Sequence, residues 1–551
     1  MNLTGKGERS FAFKSLILSG LSCLLLILSW QSEHTAFLIF FAFIPFFYLL
    51  TIPVRTHNER WILYIISYLQ LFIWIYVSLY WIRPVNRNSH FIITLLSSTF
   101  LFPSFILAFW FTSLKSNYKN SHLLILIAGW ICIEILHDTG ILGFPYLNLG
   151  HVLGNYPRII QWYSISGSIG GTIWIFLVNY ILFSGFRYIS GKSFQRKKTI
   201  WISLSIIFII FVPALLSLEL YRKNSTEDHQ VLEVIAVHTS ADVYDYKYRV
   251  EPEVLLQEYL LLTQSSRDTS EYHIIFWPEN ALRGEIFYQN PDSSSIVQTI
   301  KSELCNNPKT LLVTGAIVDE KIENADTLSW SPGLLYNEKG KFYYRRYNAA
   351  LFIRSGERTI IRTKKKLVPF SERIPPKKIF YPLTRLVPNL ANLKFSAMEH
   401  ENTVFTDNSK GIHISPVICY GITFSNFVAE ENFRTGSNFL SVIMNESWMR
   451  DTKATRHFKL FSVCRAVENH RYLVKSSNEG ISALINWKGN ILQERTGKGG
   501  GVIKGKILPD SSLSFFGRFH LILTWTILIF CLLFILFQFI SPERGRLKKD
   551  R

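Results

Sequence analysis

His273-Ile274-Ile275-Phe276-Trp277-Pro278-Glu279-Asn280 is the stretch that decides how the second half of the chain folds. Ile274 to Phe276 is an apolar run of β-forming residues. Proline cannot donate to a sheet ladder, so the strand stops before Pro278 and leaves Glu279 just past its end. A carboxylate beside Trp277 and Pro278 is partly desolvated, which suits it to take a proton. Taken alone, it also reads as a solvent-facing turn residue. Similar runs recur at 231–237, 310–318, 334–336, 412–419, 439–444, 472–476, 482–485 and 502–507, with helix-like stretches at 252–265, 294–305 and 455–469. Strands alternating with helices predict a layered α/β domain.

Other chemistry-bearing groups stand at comparable places. Lys364-Lys365-Lys366-Leu367-Val368-Pro369-Phe370-Ser371-Glu372 joins a basic run to an apolar turn and a carboxylate. A basic run is usually a solvated face, but one lysine turned inward would supply charge for an oxyanion. Ser415-Pro416-Val417-Ile418-Cys419-Tyr420-Gly421 carries an apolar strand into Cys419 and turns at Gly421. A thiol at a strand-to-turn junction is placed as a nucleophile; an inert core cysteine is the alternative. His413 and His457 give a Cys-His dyad little support, because neither lies in these short elements. Asn445-Glu446-Ser447-Trp448 follows another strand and supplies polar groups to the same kind of edge.

The first half reads differently. The 551 residues are 48% hydrophobic and 18% charged, which excludes a disordered chain or a coiled coil. A bilayer core needs about 20 apolar residues per helix. Candidate spans are 11–30, 36–52, 61–81, 91–114, 122–136, 168–186, 201–220 and 519–540, the second marginal and the fifth short. Arg55, Arg60, Lys115, Lys119, Arg187, Lys192, Arg196, Lys197, Lys198 and the basic tail after 540 fall on one side if all eight cross, which makes that side cytoplasmic. The expected organisation is therefore helices one to seven in 1–220, an extracytoplasmic domain in 221–518, and helix eight with a cytoplasmic tail in 519–551. Glu134 lies inside the fifth run, where a carboxylate is costly unless hydrogen-bonded or facing a cavity. The formal charge of +19 is explained by these membrane flanks, so no nucleic-acid partner is expected. The six cysteines form no CxxC pair, and neither a metal nor a diffusible cofactor is expected.

In order, Trp277-Pro278-Glu279-Asn280, Lys364 before Leu-Val-Pro-Phe-Ser-Glu, Ile418-Cys419-Tyr420, Asn445-Glu446-Ser447-Trp448, Arg465-Ala466-Val467-Glu468-Asn469 and Ser476-Ser477-Asn478-Glu479-Gly480 resemble the nitrilase superfamily. With membrane spans on both sides, and with Trp130, Glu134 and Gly143-Phe144-Pro145, the chain resembles the apolipoprotein N-acyltransferase family of that superfamily. The resemblance implies a multi-pass α-helical membrane domain plus a nitrilase-like αββα sandwich. It implies a triad of Glu279 as base, Lys364 at the oxyanion and Cys419 as nucleophile, with Glu372 and Tyr420 in support. Trp448, Asn445 and Tyr248 would meet substrate. The implied donor is a membrane phospholipid. The implied acceptor is the amino-terminal diacylglyceryl-cysteine of an apolipoprotein, at the outer face of a bacterial inner membrane. The chain is expected to act as a monomer. The alternative is a membrane-bound nitrilase-type amidase, or an acyltransferase with another amine acceptor. Gly421 replaces the family's glutamate, His137 its arginine and Tyr248 its tryptophan.

Overall fold

The computed structural model of the chain describes residues 3–114, 121–139, 143–190, 196–222, 231–244, 246–266, 271–322, 334–338, 340–369, 372, 395, 403–450 and 452–540. Phe370, Ser371, Lys115, Lys119, Lys192 and the basic tail lie outside the described residues. The chain folds as two compact units, Met1–Lys223 with Phe519–Arg551, and Asn224–Arg518.

In the first unit, seven helices among the described residues are long and apolar enough to cross a membrane: Gly7–Ser29, His57–Ser78, Arg87–Phe111, Ser121–Thr139, Ser168–Ile189, Ile200–Arg222 and Phe515–Ile540. The protein is thus a multi-pass membrane protein. The second expected span departs from the sequence reading. It is a 3-10 turn, Ala36–Phe40, followed by a short α-helix, Ile44–Leu50. Buried side chains bond the backbone at this break, Asn179 at two points. Asn179 Oδ1 accepts from the Phe43 N–H at 2.9 Å, and its Nδ2 donates to the Ile39 carbonyl at 3.0 Å. Helix His57–Ser78 starts where it does because Thr56 and Glu59 form a reciprocal capping box.

Glu134 is a structural anchor. Its Oε1 accepts from Trp130 Nε1 and from the Leu149 N–H, both at 2.9 Å, and its Oε2 accepts from Thr172 Oγ1 at 2.6 Å. A buried carboxylate needs such donors, and here they pin the segment after Gly143 into the unit. Only glycine fits at 150, where a β-carbon would lie 1.9 Å from the Ser168 carbonyl oxygen.

Among its described residues the second unit holds fourteen strands, β1 (Leu232–His238), β2 (His273–Phe276), β3 (Thr310–Ile322), β4 (Leu334–Asn337), β5 (Phe342–Arg354), β6 (Ile360–Thr363), β7 (Phe405–Asp407), β8 (Ile412–Ile414), β9 (Val417–Ile418), β10 (Leu440–Asn445), β11 (Leu473–Asn478), β12 (Ile481–Ile485), β13 (Ile491–Thr496) and β14 (Gly501–Ile507). One sheet runs β14-β1-β2-β3-β5-β4 with β6 on β5; the other runs β13-β12-β11-β10-β9. Side chains alternate along β2 as its pleat requires. Ile274 and Phe276 face a core shared with Phe439, Val474 and Leu484 of the other sheet. Ile275 and Trp277 face a second core with Leu256, Tyr259, Ile296 and Ile300, from the helices Pro252–Gln264 and Ser295–Glu303. Helices Ser425–Thr435 and Thr452–Asn469 belong to the second half of the domain, and the latter packs on β11 and β12. Helix, sheet, sheet and helix give the αββα sandwich. Strands β1, β2 and β3 are mutually parallel, as are β9, β10 and β11. Parallel strands gather their carboxyl ends on one edge, the usual place for a site.

Candidate active site

Four strand ends supply the charged centre. Glu279 follows β2, Lys364 follows β6, Cys419 follows β9 and Asn445 ends β10. Expected strand 412–419 is split at Ser415-Pro416 into β8 and β9, and Cys419 opens the 3-10 turn Cys419–Thr423. Backbone strain concentrates at these ends. Asn280 has φ +52° and Cys419 φ +49°, and Arg450 (+46°) and Glu479 (+55°) follow on the neighbouring loops. Such conformations are uncommon for residues with a side chain and persist where the surroundings enforce them.

The three groups expected as a triad come together. Lys364 Nζ donates to Glu279 Oε1 at 2.9 Å and to Glu372 Oε1 at 2.8 Å. Glu279 Oε2 accepts from the Asn445 N–H at 3.0 Å. The buried Cys419 thiol lies within the electrostatic reach of Glu279, Lys364 and Glu372. Glu279, Lys364 and Cys419 are 3%, 2% and 9% exposed. Glu372 is tied back to its own turn, its Oε2 accepting from the Val368 N–H at 2.9 Å.

The electrostatics follow from this geometry. Burial opposes the charge on Lys364, but Glu279 and Glu372 more than offset it and hold the ammonium well above the usual lysine range. Burial pushes the Cys419 thiol up, Glu279 pushes it further, and Lys364 acts the other way. The resting site places a neutral thiol beside a carboxylate paired with the Lys364 ammonium.

The three lysines of the basic run have separate tasks. Lys364 turns inward, Lys365 pairs with Glu431 at 2.8 Å, and Lys366 lies over the rings of Phe424 and Phe427 at 4.9 and 5.4 Å. Asn445 contributes its main-chain N–H to Glu279, while its side-chain Oδ1 accepts from Asn478. Trp448 and Tyr248, both expected to meet substrate, lie against each other with ring centroids 5.7 Å apart, and Tyr244 is on Trp448 at the same distance. Burial, then Glu279, pushes the Tyr248 hydroxyl up to about 12, so this aromatic group lies within electrostatic reach of Glu279. Tyr420 is buried edge-on against Phe424.

Three groups were missed in the sequence. Asn348, on β5, donates to Glu279 Oε1 at 2.7 Å and to Glu372 Oε1 at 3.3 Å. Lys247 donates to the Glu279 carbonyl at 3.2 Å. Lys475 pairs with Glu446 at 2.8 Å, both fully buried, and lies within electrostatic reach of Cys419. A polar residue inside an otherwise apolar strand, as Asn348 is, was the available signal.

Two family models match the chain: the apolipoprotein N-acyltransferase N-terminal domain over residues 22–181 and the carbon-nitrogen hydrolase over residues 246–511. The apolipoprotein N-acyltransferase of Wigglesworthia glossinidia brevipalpis is 28% identical over 76% of this chain and 76% of that protein. That of Chlorobaculum tepidum is 21% identical over 91% of each. An amidase structure from Nesterenkonia sp. is 16% identical, covering 54% of this chain and 96% of that one, with a TM-score of 0.34. With a membrane-unit model and a carbon-nitrogen hydrolase model matched in one chain, the protein belongs to the apolipoprotein N-acyltransferase family of enzymes, within the nitrilase superfamily.

Proposed function

We propose that the chain transfers an acyl group from a membrane phospholipid, through a thioester on Cys419, to the terminal amine of a diacylglyceryl-cysteine on an apolipoprotein. Glu279 takes the thiol proton as sulfur attacks the ester carbonyl. Lys364 stabilises the oxyanion. The ester C–O bond breaks and Glu279 returns the proton to the departing lysophospholipid. The acceptor amine then attacks the thioester and Glu279 takes its proton; the C–S bond breaks, Glu279 returns that proton to sulfur, and the thiol and the amide result. Trp448 and Tyr248 bound the acceptor side. The catalytic unit works at the outer face of the bacterial inner membrane.

The observation that carries this reading is the Lys364 ammonium held between two buried carboxylates beside Cys419, in a chain with membrane-crossing helices. The donor and acceptor are both lipids, which explains why one chain holds both units. Intact mass spectrometry tests it. Incubation with phospholipid should add one acyl group on Cys419, removable by hydroxylamine, and a diacylated lipopeptide should then take it on its amine. Release only as free fatty acid would support a hydrolase instead, and no adduct on folded protein would overturn the acyltransferase reading.

A further inference from the structure

Lys247 is fully buried, and its described partner is the main-chain carbonyl of Glu279 at 3.2 Å. It sits on the segment after β1, held by its own N–H to the Asp242 carbonyl at 2.6 Å, and is followed by Tyr248 of the aromatic group. Burying a lysine on one neutral acceptor is costly, so the fold keeps it there against its own solvation.

The charges of the centre give it a purpose. Glu279 and Glu372 share the single ammonium of Lys364, which leaves one negative charge over in a dry site. Other nearby cations are engaged. Lys475 pairs with Glu446 at 2.8 Å. Lys365 pairs with Glu431. Arg283 lies over the Tyr248 ring at 5.2 Å and donates to the Val250 carbonyl.

We infer that Lys247 is a positioning residue for Glu279: its ammonium fixes the main chain at the end of β2 and balances the excess negative charge of the two carboxylates. When the thiol proton moves to Glu279, the negative charge moves to sulfur and the balance holds. Lys247 thus favours the ionised base at rest and the thiolate during attack.

This charge is conditional. Burial, opposed by Glu279 and aided by Arg283, brings Lys247 down to about 7. The groups facing Glu279 from the other elements are Lys364, Asn348, Cys419, Tyr248 and the Asn445 N–H. Lys364 is held charged well above this range and the Cys419 thiol is held neutral. The charged groups facing Lys247 itself are Glu279 and Arg283, and a change in rate through neutral pH that the uncharged Lys247 variants abolish reports Lys247.

The inference rests on the proposed role of Glu279 and Cys419, and two readouts separate its failure from theirs. The first is Cys419 acylation by phospholipid; the second is alkylation of Cys419 by iodoacetamide, located by peptide mapping, which needs no lipid. Both are followed against pH in the full-length protein. In the wild type the rate should fall as Lys247 loses its proton near neutrality. Lys247→Met should be slower by on the order of tenfold below that pH, the equivalent of one pKa unit at the base, and should lack the step. Lys247→Arg should recover most of the rate and carry it to higher pH. Lys247→Gln keeps a donor without the charge and should behave as Met; it replaces Met if that variant does not fold. Wild-type rates and an unchanged pH profile in the uncharged variants would overturn the inference, as would equal losses in Met and Arg with the step intact. A wild type that alkylates with the expected profile but never acylates would instead overturn the acyltransferase reading.

Discussion

The ring of Phe427 occupies the space into which a side chain at Gly421 would grow: a β-carbon there would lie 3.0 Å from Phe427 Cε1 and 3.1 Å from Val417 Cγ1. The carboxylate that the family pattern places two residues after the nucleophile is replaced here by an aromatic filling, with Lys366 above it. Gly421→Glu should therefore overpack the turn at about 1–3 kcal/mol and lower acylation of Cys419 by at least about tenfold. Gly421→Glu with Phe427→Ala should recover part of both. Thermal unfolding and single-turnover acylation check this, and wild-type behaviour of the single variant would show that the ring moves aside freely.

Substitutions in the triad should separate charge from proton transfer. With Glu279 as the proposed base, Glu279→Gln should lower acylation by about 10²–10⁴. It also removes the negative charge that raises the thiol, so direct alkylation of Cys419 at alkaline pH should become faster. Lys364→Met has the opposite electrostatic sign and should slow both reactions. Lys364 is held above its ordinary value, so its contribution to stability is present below the unfolded-state value and persists through mildly alkaline pH. Cys419→Ala should abolish both reactions in folded protein. An acyl-enzyme that accumulates in Glu279→Gln would confine that residue to the second step.

Asn348 binds both carboxylates through one amide nitrogen. Hydrogen bonds to charged groups are worth about 1.5–3 kcal/mol, so Asn348→Leu should lower the thermal midpoint and slow acylation. Asn348→Asp should be worse, because it adds a third carboxylate beside Glu279 and Glu372. Equal activity of the Asp variant and wild type at neutral pH would count against the shared hydrogen bond.

The sequence was legible where local pattern and tertiary role agree. Ile274 to Phe276 alternates between two cores, and Pro278 ends the strand, so the position of Glu279 followed from the pleat. Cys419 and Lys364 followed from the order of their motifs. Strand β5 was not seen, because Phe342–Arg354 begins with aromatic and charged residues on a partly solvated stretch and becomes fully buried only from Tyr347 to Ile353. Asn348 was lost with it. Its value depends on two carboxylates that are remote in sequence. Lys247 was passed over for the same reason, since nothing local to it announces the Glu279 carbonyl. The break at Ala36–Leu50 was met as a marginal span, and its stabilising partner, Asn179, lies far along the chain.

That break decides which side of the membrane carries Asn224–Arg518. The long helices among the described residues are seven, and the broken segment makes an eighth crossing if it passes through. Irregular backbone at membrane depth is tolerated where protein groups satisfy it, and Asn179 does so at both the Phe43 N–H and the Ile39 carbonyl. Ser22 Oγ adds a bond to the Ala42 carbonyl at 2.6 Å. The segment should therefore cross, and a reporter fused after Arg551 should read cytoplasmic. Asn179→Leu should lower the folded yield, since each backbone group left bare costs about 1–3 kcal/mol. Asn179→Gln should not restore it, because one added methylene displaces both bonds. An external tail would mean that Ala36–Leu50 does not cross, which would put the catalytic unit in the cytoplasm, away from an acceptor at the outer face.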